Sequence, residues 1–184
     1  MIITRGPLLA SLLAVTLAAS AAPLKTDTAK SSITATFKQM NVPVEATFRS
    51  FSAQIDYDPA RLDAARAHVD INTASLDLGD PDMNKEVAKK DWFDSARFPK
   101  ATFVSSAIKP AGPGKLNVTG KLTIKGKSAN VSFPLTVRAE AGKQLFEGAL
   151  PIRRLAYNIG DGEWKDTSMV ADEVVIRFRV LAGQ

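Results

Sequence analysis

The sequence predicts an all-β fold, an eight-stranded antiparallel barrel with one helical insertion. Apolar and polar residues alternate along about eight segments, which is the pattern of strands with one buried face. Short turn sequences join most of these segments, and one long segment shifts its alternation by a residue at Arg49-Ser50. Such strands form either a sandwich or a closed barrel. A strand that bends favours the barrel, because closure requires the sheet to coil.

The N-terminal residues predict export of the domain that follows them. Arg5 precedes an apolar run from Leu8 to Ala19, and Ala19-Ser20-Ala21 fits a small-x-small cleavage pattern. We therefore expect a signal peptide at 1–21 and a single domain at 22–184, with an uncleaved membrane anchor as the alternative. The chain has 184 residues and no cysteine, which excludes disulfides and a thiolate metal site.

The long segment after the first strand carries the shift in alternation. Apolar residues occupy even positions over 42–48 and odd positions over 51–57. Such a shift would turn the apolar residues to the wrong face of a regular strand. We predict a β-bulge at Arg49-Ser50, which absorbs the extra residue and bends the strand.

In most of the other segments, the apolar residues stay on odd or on even positions throughout. Turns are predicted at 58–63 and 109–115, with strands in "ATFVSSAI" and "KQLFEGALPIRRLAYNI". The side chains predicted to share the inner face of their strands are Ile33, Ala35 and Phe37; Ala65, Ala67, Val69 and Ile71; Leu116, Val118, Leu122 and Ile124; Val131, Phe133, Leu135 and Val137; and Val174, Ile176, Phe178 and Val180.

One region breaks the strand pattern. Asp80 is a suitable N-cap and Pro81 a suitable first residue for a helix over 81–90, with a second turn at 92–94. A hairpin loop of two to five residues would connect the strands, so this longer excursion needs a reason. We expect the segment 81–98 to gate the entrance of the barrel or to plug one end of it permanently. Its polar side carries Lys85, Lys89 and Lys90.

Several motifs have a simpler structural interpretation. "GKLTIKGKS" resembles a phosphate-binding loop, but no helix follows it, so a hairpin with Gly126 at its turn is expected. His68 is the only histidine and should point outward, whereas a histidine metal site needs several ligands. The lysines and arginines form no basic stripe, which excludes nucleic-acid binding.

The acidic segment 161–173 is the only candidate for catalysis or calcium binding. Its carboxylates lack the calcium-loop spacing, and its glycines indicate an exposed turn. Within it, Trp164 either packs back on the body of the domain or covers the mouth of the barrel. Trp92, Phe93 and Phe98 likewise either pack under the rim or line an entrance.

Four separated blocks resemble the YceI-like family of bacterial exported proteins: "KQMNVPVEATFRSF", "DWFDSARFPKATF", "GKLTIKGKSANVSFPL" and "GEWKDTSMVADEVVIRF". The resemblance runs from Ser31 to Val180. It implies a lipocalin-like eight-stranded barrel in the periplasm that holds a long polyisoprenoid or other lipid, and it implies no enzymatic activity. The last block looks like a branch often associated with cytochrome b561-type membrane proteins, which hints at an isoprenoid quinone.

The expected ligand is a lipid, and the expected binding residues are apolar or aromatic. The resemblance implies no cofactor other than a bound isoprenoid lipid or quinone. The expected partners are that lipid, an inner-membrane b561-type cytochrome and a second copy of the chain in a homodimer. The alternative function is a structural or regulatory partner of the cytochrome without lipid carriage. No catalytic or metal residue is predicted, and the predicted ligand-binding residues are Phe37, Phe48, Phe51, Ile71, Trp92, Phe93, Leu122, Ile124, Phe133, Leu135, Trp164, Ile176 and Phe178.

Overall fold

A computed structural model describes residues 23–183, so the predicted signal peptide lies outside the described residues. The strands are β1 (Leu24–Thr26), β2 (Ser32–Gln39), β3 (Val42–Phe48), β4 (Phe51–Asp56), β5 (Arg66–Asn72), β6 (Leu76–Asp77), β7 (Lys100–Gly112), β8 (Lys115–Ile124), β9 (Lys127–Glu140), β10 (Lys143–Arg153) and β11 (Val170–Gly183). One α-helix, α1, spans Pro81–Val87. Short 3-10 turns occupy Thr28–Lys30, Thr73–Ser75, Arg154–Tyr157 and Gly162–Lys165.

The strands close into an antiparallel barrel, as predicted. The order β4-β5-β7-β8-β9-β10-β11 is closed by β1, which pairs with both β4 and β11. β1 and β2 both pair with β11, one after the other along its length, so together they form one strand of the wall. β3 pairs with β2 and β4 pairs with β1, so β3 and β4 together form the next strand of the wall. Counted this way, the wall has eight strands. Within residues 23–183, no helix is long and apolar enough to cross a membrane.

The predicted bend between β3 and β4 is confirmed. Ala46 and Phe48 are buried before it, and Ala53 and Ile55 are buried after it. The expected bulge is in fact a break of two residues, Arg49-Ser50, because the two halves pair with different neighbours: β3 with β2 and β6, and β4 with β1 and β5. The bend thus lets one strand turn the corner of the barrel.

Three predicted boundaries were wrong. β7 continues to Gly112, because its pairing with β8 runs through the expected turn. β10 ends at Arg153 and continues as a 3-10 turn. Helix α1 ends at Val87 rather than Lys90, because the following chain folds back. There the backbone N–H groups of residues 93–95 donate to the carbonyl oxygens of residues 87–89, over distances of 2.8–3.0 Å.

The turns confirm two other expectations. Lys125 and Gly126 form the hairpin turn between β8 and β9, with φ of 47° and 73°. Both central residues of such a tight turn need positive φ, which explains the glycine. The Asp80 carboxylate caps α1 by accepting from the backbone N–H groups of Asp82 and Met83, at 2.8 and 3.1 Å.

Candidate functional site

Two apolar cavities follow each other along the inside of the barrel. Ile33 of β2 lines the inner cavity, and Phe37, later in the same strand, lines the outer cavity. On β11, Val174 lines the outer cavity and Ile176 the inner one. The inner cavity has a volume of about 120 Å³ and the outer cavity about 350 Å³. Their shared strands place them in line, with the outer cavity under the helical insertion.

Aromatic rings occupy much of the barrel around the inner cavity. The ring of Phe133 lies 5.4 Å from that of Phe103 and 5.5 Å from that of Phe178, between ring centres. A cavity of roughly 150 Å³ accommodates one benzene ring. A long ligand must therefore displace some of these rings or lie mostly in the outer cavity.

Two glycines on the inner face give these rings their space. An added Cβ at Gly120 would lie 2.5 Å from the Phe103 ring, and one at Gly148 would overlap the Phe178 ring. Sequence reasoning missed both glycines and Phe103. The sequence does contain a signal for the glycines: each occupies a strand position where the alternation would place an apolar side chain. A glycine at such a position indicates that another group approaches the backbone closely.

Replacing Gly148 with alanine tests this arrangement. The new methyl group would meet the Phe178 ring and lie 2.9 Å from the carbonyl oxygen of Pro134, so the ring must swing into the inner cavity. We expect a loss of about 1–3 kcal/mol in unfolding free energy and weaker ligand binding. Denaturant unfolding and ligand titration measure both. Adding Phe178→Leu should restore binding, and unchanged binding in Gly148→Ala would contradict this role.

The outer cavity is covered by the insertion and the segment after β10. Trp92 and Trp164 line it with their ring centres 5.4 Å apart. Phe93 lines the cavity and also packs against the hydrophobic clusters around both cavities, with its ring edge-on to Phe48 at 6.2 Å. Met83 of α1 lines the cavity and is 39% exposed, so the cavity reaches the surface beside α1.

A buried arginine, Arg154, forms one end of the outer cavity. It is 2% exposed, and its guanidinium lies 5.7 Å from the Trp92 ring centre. All its N–H groups donate to backbone carbonyl oxygens, at 2.6–3.3 Å, from Ile159, Gly160, Trp164, Val170 and Ala171. Burial lowers its pKa from the ordinary value, while Asp172 opposes that shift. Arg154 thus holds the segment 159–171 against the barrel.

The indole N–H of Trp92 is a second unusual group. Among the buried side-chain nitrogen and oxygen atoms of residues 23–183, only Trp92 Nε1 has no hydrogen-bond partner. Buried donors are normally paired, and leaving one unpaired costs about 1–3 kcal/mol. Trp92 therefore supplies a free hydrogen-bond donor in the wall of an apolar cavity.

Asp77 anchors α1 over the outer cavity. Its carboxylate accepts from the Asn84 side chain at 3.0 Å and from the Gly79 backbone at 2.8 Å, and it pairs with Arg49 at the bend. These contacts, the Asn84 bond first, lower the Asp77 pKa from 3.8 to about 2.

The lowered pKa of Asp77 predicts an acid-sensitive insertion. Because the folded pKa is below the unfolded one, the stabilisation is complete above about pH 4 and is lost as the pH falls towards 2. We expect the protection factors of the amides in 81–87, which correct for the slower intrinsic exchange at low pH, to fall over this range before the barrel unfolds. Asp77→Asn should remove this pH dependence, and identical exchange profiles in both proteins would contradict the prediction.

The predicted ligand-binding residues lie in three places. Ile71, Leu122, Phe133, Leu135, Ile176 and Phe178 line the inner cavity. Phe37, Trp92, Phe93 and Trp164 line the outer cavity. Ile124 is buried in the core, and Phe48 and Phe51 lie beside the bend, so these three line neither cavity.

The acidic segment does not assemble a metal site. Asp161 pairs with Lys165 at 2.7 Å, and Asp172 accepts from the backbone of Leu155 at 3.0 Å. In the part of the chain that the structure describes, no three potential ligands among His, Cys, Asp and Glu come together. His68 is exposed, as predicted, and lies 3.0 Å from Asp70.

Comparisons with known proteins agree with this architecture. Residues 24–182 match the YceI-like domain. A UPF0312 protein of Pseudomonas putida (strain W619) is 35% identical over 105 residues, which cover 57% of this chain and 54% of that protein, about half its length.

Two solved structures share the fold. Burkholderia cenocepacia BcnA is 56% identical, with a TM-score of 0.84 over 86% of this chain and 99% of that one. A polyisoprenoid binding domain from Saccharophagus degradans, implicated in plant cell wall breakdown, is 18% identical, with a TM-score of 0.69 over 88% of this chain and 97% of that one. The family match covers nearly all of the described barrel, and the chain belongs to the YceI-like domain family.

Proposed function

We propose that this protein binds one long-chain isoprenoid lipid inside the barrel and acts as a periplasmic carrier or store for it. The observation that carries the proposal is the line of two apolar cavities, which reaches the surface beside α1. Each methylene group that leaves water contributes roughly 0.8 kcal/mol, so an apolar channel binds a long chain without any catalytic group. The polyisoprenoid binding described for the Saccharophagus degradans domain supports the same ligand class.

The groups around the outer cavity favour a lipid with an oxygen-bearing ring, an isoprenoid quinone. The aromatic rings of Trp92 and Trp164 can stack on a planar head group. A small turn of the Trp92 side chain would direct its free N–H to a quinone carbonyl oxygen. The isoprenoid tail would then extend towards the inner cavity.

Intrinsic fluorescence tests this orientation. The chain has only two tryptophans, and Trp92 and Trp164 both line the outer cavity. Titration with an isoprenoid quinone should quench their emission, whereas a polyisoprenol of equal length should bind with little quenching. If a separate assay showed that both lipids bind, but both quenched the tryptophan emission equally weakly, a quinone head group beside the tryptophans would be contradicted.

The aromatic residues of the insertion provide a further prediction. Trp92 and Phe93 pack against the core and the backbone oxygen of Asp91 accepts from Gly160 and Asp161, so this part of the insertion should act as a plug. We expect Trp92→Ala/Phe93→Ala to lose roughly 3–5 kcal/mol in denaturant unfolding. A gate would instead change the rates of lipid uptake and release with almost no loss of stability.

An inner-membrane b561-type cytochrome is the proposed partner that would exchange the quinone, and a second copy of the chain, in a homodimer, is a further proposed partner. The rival function is a regulatory partner of that cytochrome that carries no lipid. Purified protein without lipid, but with stable binding to the cytochrome, would favour the rival.

A further inference from the structure

Exposed apolar side chains gather at one end of the barrel. Of the five large hydrophobic side chains that are exposed among residues 23–183, four lie around the outer cavity. We call this group the mouth rim; it comprises Met40 and Val42, each 62% exposed, Met169 at 44% and Met83 at 39%. The fifth, Val104, lies on the barrel wall in β7.

Backbone and cavity contacts bring the four residues together. The Met40 N–H donates to the Met169 carbonyl oxygen at 2.9 Å, and Val42 is the strand partner of Gln39. Gln39 and Met83 both line the outer cavity. The rim is therefore continuous with the cavity opening rather than an isolated patch.

Met40 is placed at the rim against local backbone preference. It forms the β2–β3 hairpin turn with Asn41, at φ of 47° and 65°, where glycine, asparagine and aspartate are preferred. Lys125 holds the equivalent position in another hairpin, but its ammonium donates to two carbonyl oxygens. Met40 instead presents an apolar side chain to solvent.

The size of the rim argues against a protein partner. Even aromatic side chains have only about 150–250 Å² of surface to bury. Four smaller side chains, each roughly half exposed, offer far less than the ~800 Å² per partner that a stable protein interface needs. A lipid bilayer requires only a few apolar side chains that enter its interface.

Charges near the rim also suit a bilayer. Lys85 pairs with Asp82 at 3.0 Å and Lys89 pairs with Glu86 at 2.5 Å, all on or next to α1. Each of these two lysines has an acidic neighbour, and residues 80–91 together contain three lysines and four acidic residues, so the insertion presents no excess of positive charge beside the opening. Apolar insertion rather than attraction to anionic lipid should dominate binding.

We propose that the mouth rim docks on a lipid bilayer, so that a lipid passes between the membrane and the outer cavity without crossing water. The inference rests on the proposed lipid binding, and it adds the surface and the route by which the ligand enters. The entry lies between α1 and the β2–β3 hairpin, beside the aromatic plug.

The test compares Met40→Asn/Val42→Thr with Val104→Thr, which removes the exposed apolar residue outside the rim. Asparagine tolerates positive φ and threonine suits strands, so the rim variant should fold as stably as the wild type. In co-sedimentation with vesicles of phosphatidylethanolamine and phosphatidylglycerol, it should bind about tenfold more weakly, from the loss of several buried carbon groups. Val104→Thr should bind like the wild type, and added salt should change binding little.

A second assay separates this proposal from lipid binding itself. Both variants should bind geranylgeraniol from solution as the wild type does, since neither changes the cavity wall. If the rim variant bound geranylgeraniol normally and also bound vesicles as well as the wild type does, the docking proposal would be wrong. The proposed lipid binding would then still stand. A wild-type dimer that the rim variant converts to a monomer would also overturn it, because the rim would then be an interface between copies. Absence of geranylgeraniol binding in all proteins would instead refute the proposed function.

Discussion

Replacing Arg154 with leucine should destabilise the protein by roughly 3–5 kcal/mol. The substitution leaves five backbone carbonyl oxygens without their donor, in a site where the side chain is 2% exposed. Removing one partner from such a buried charged network leaves the other groups desolvated and unpaired. Because these carbonyls belong to 159–171, the wall of the outer cavity that contains Trp164 should loosen first.

The neighbouring residue provides a matched control. Arg153 has an exposed side chain that pairs with Asp172 at 3.3 Å. Exposed pairs contribute about 0–1 kcal/mol, so Arg153→Leu should have little effect. Arg154→Lys should recover only part of the loss, because an ammonium has three donors and cannot reach all five oxygens. Denaturant unfolding of the three variants measures this, and equal losses at both arginines would contradict the role of Arg154.

Replacing Leu135 with lysine should cost on the order of 4 kcal/mol or more at neutral pH and abolish lipid binding. Leu135 is 8% exposed and lines the inner cavity, between Leu116 of β8 and Gly148 of β10. A buried ammonium lacks hydration, which lowers its pKa by several units, and each unit corresponds to about 1.36 kcal/mol. The loss should shrink as the pH rises, because the neutral amine is easier to bury.

Two further variants make this prediction specific. Leu135→Met keeps the volume and apolar character, so it should cost less than about 1.5 kcal/mol and retain binding. Asp56 is the only charged residue in the lining of the inner cavity. A Leu135→Lys/Asp56→Asn variant therefore shows whether an ion pair rescues the lysine. If this double variant, which lacks the carboxylate, were stable and bound lipid, the inward position of Leu135 would be contradicted.

Alternation alone predicted most of the barrel wall. In β8 and β9 the buried side chains recur at every second position, so the inner faces of these strands followed directly from the sequence. At the end of β11, by contrast, Val180, Leu181 and Ala182 are all buried. The bend at Arg49-Ser50 could also be predicted, because few structures accommodate a shift of the apolar residues from even to odd positions within a strand. The ends of β7 and α1 were not, because they depend on pairing and on chain reversal that local patterns do not encode.

The detailed site was less predictable. Arg154 continues the inward phase of Phe146, Gly148 and Leu150, but a buried arginine was not expected, because its partners are carbonyl oxygens of 159–171, whose path local patterns do not reveal. Gly148 provides space for a ring from another strand, a contact that alternation does not reveal. Core and cavity wall share one apolar phase, so Ile124 could not be distinguished from Leu122, although only Leu122 lines a cavity. Whether the cavity residues contact lipid remains a prediction.

Native mass spectrometry combined with organic extraction tests lipid binding most directly. For this measurement the protein is expressed in a bacterial host, purified without detergent and measured under conditions that preserve noncovalent complexes. We predict one added mass per chain that equals an isoprenoid lipid, disappears after extraction and reappears in the extract as a quinone or polyisoprenoid. A chain that carries no added mass, or an extract with only fatty acids or phospholipids, would contradict isoprenoid binding.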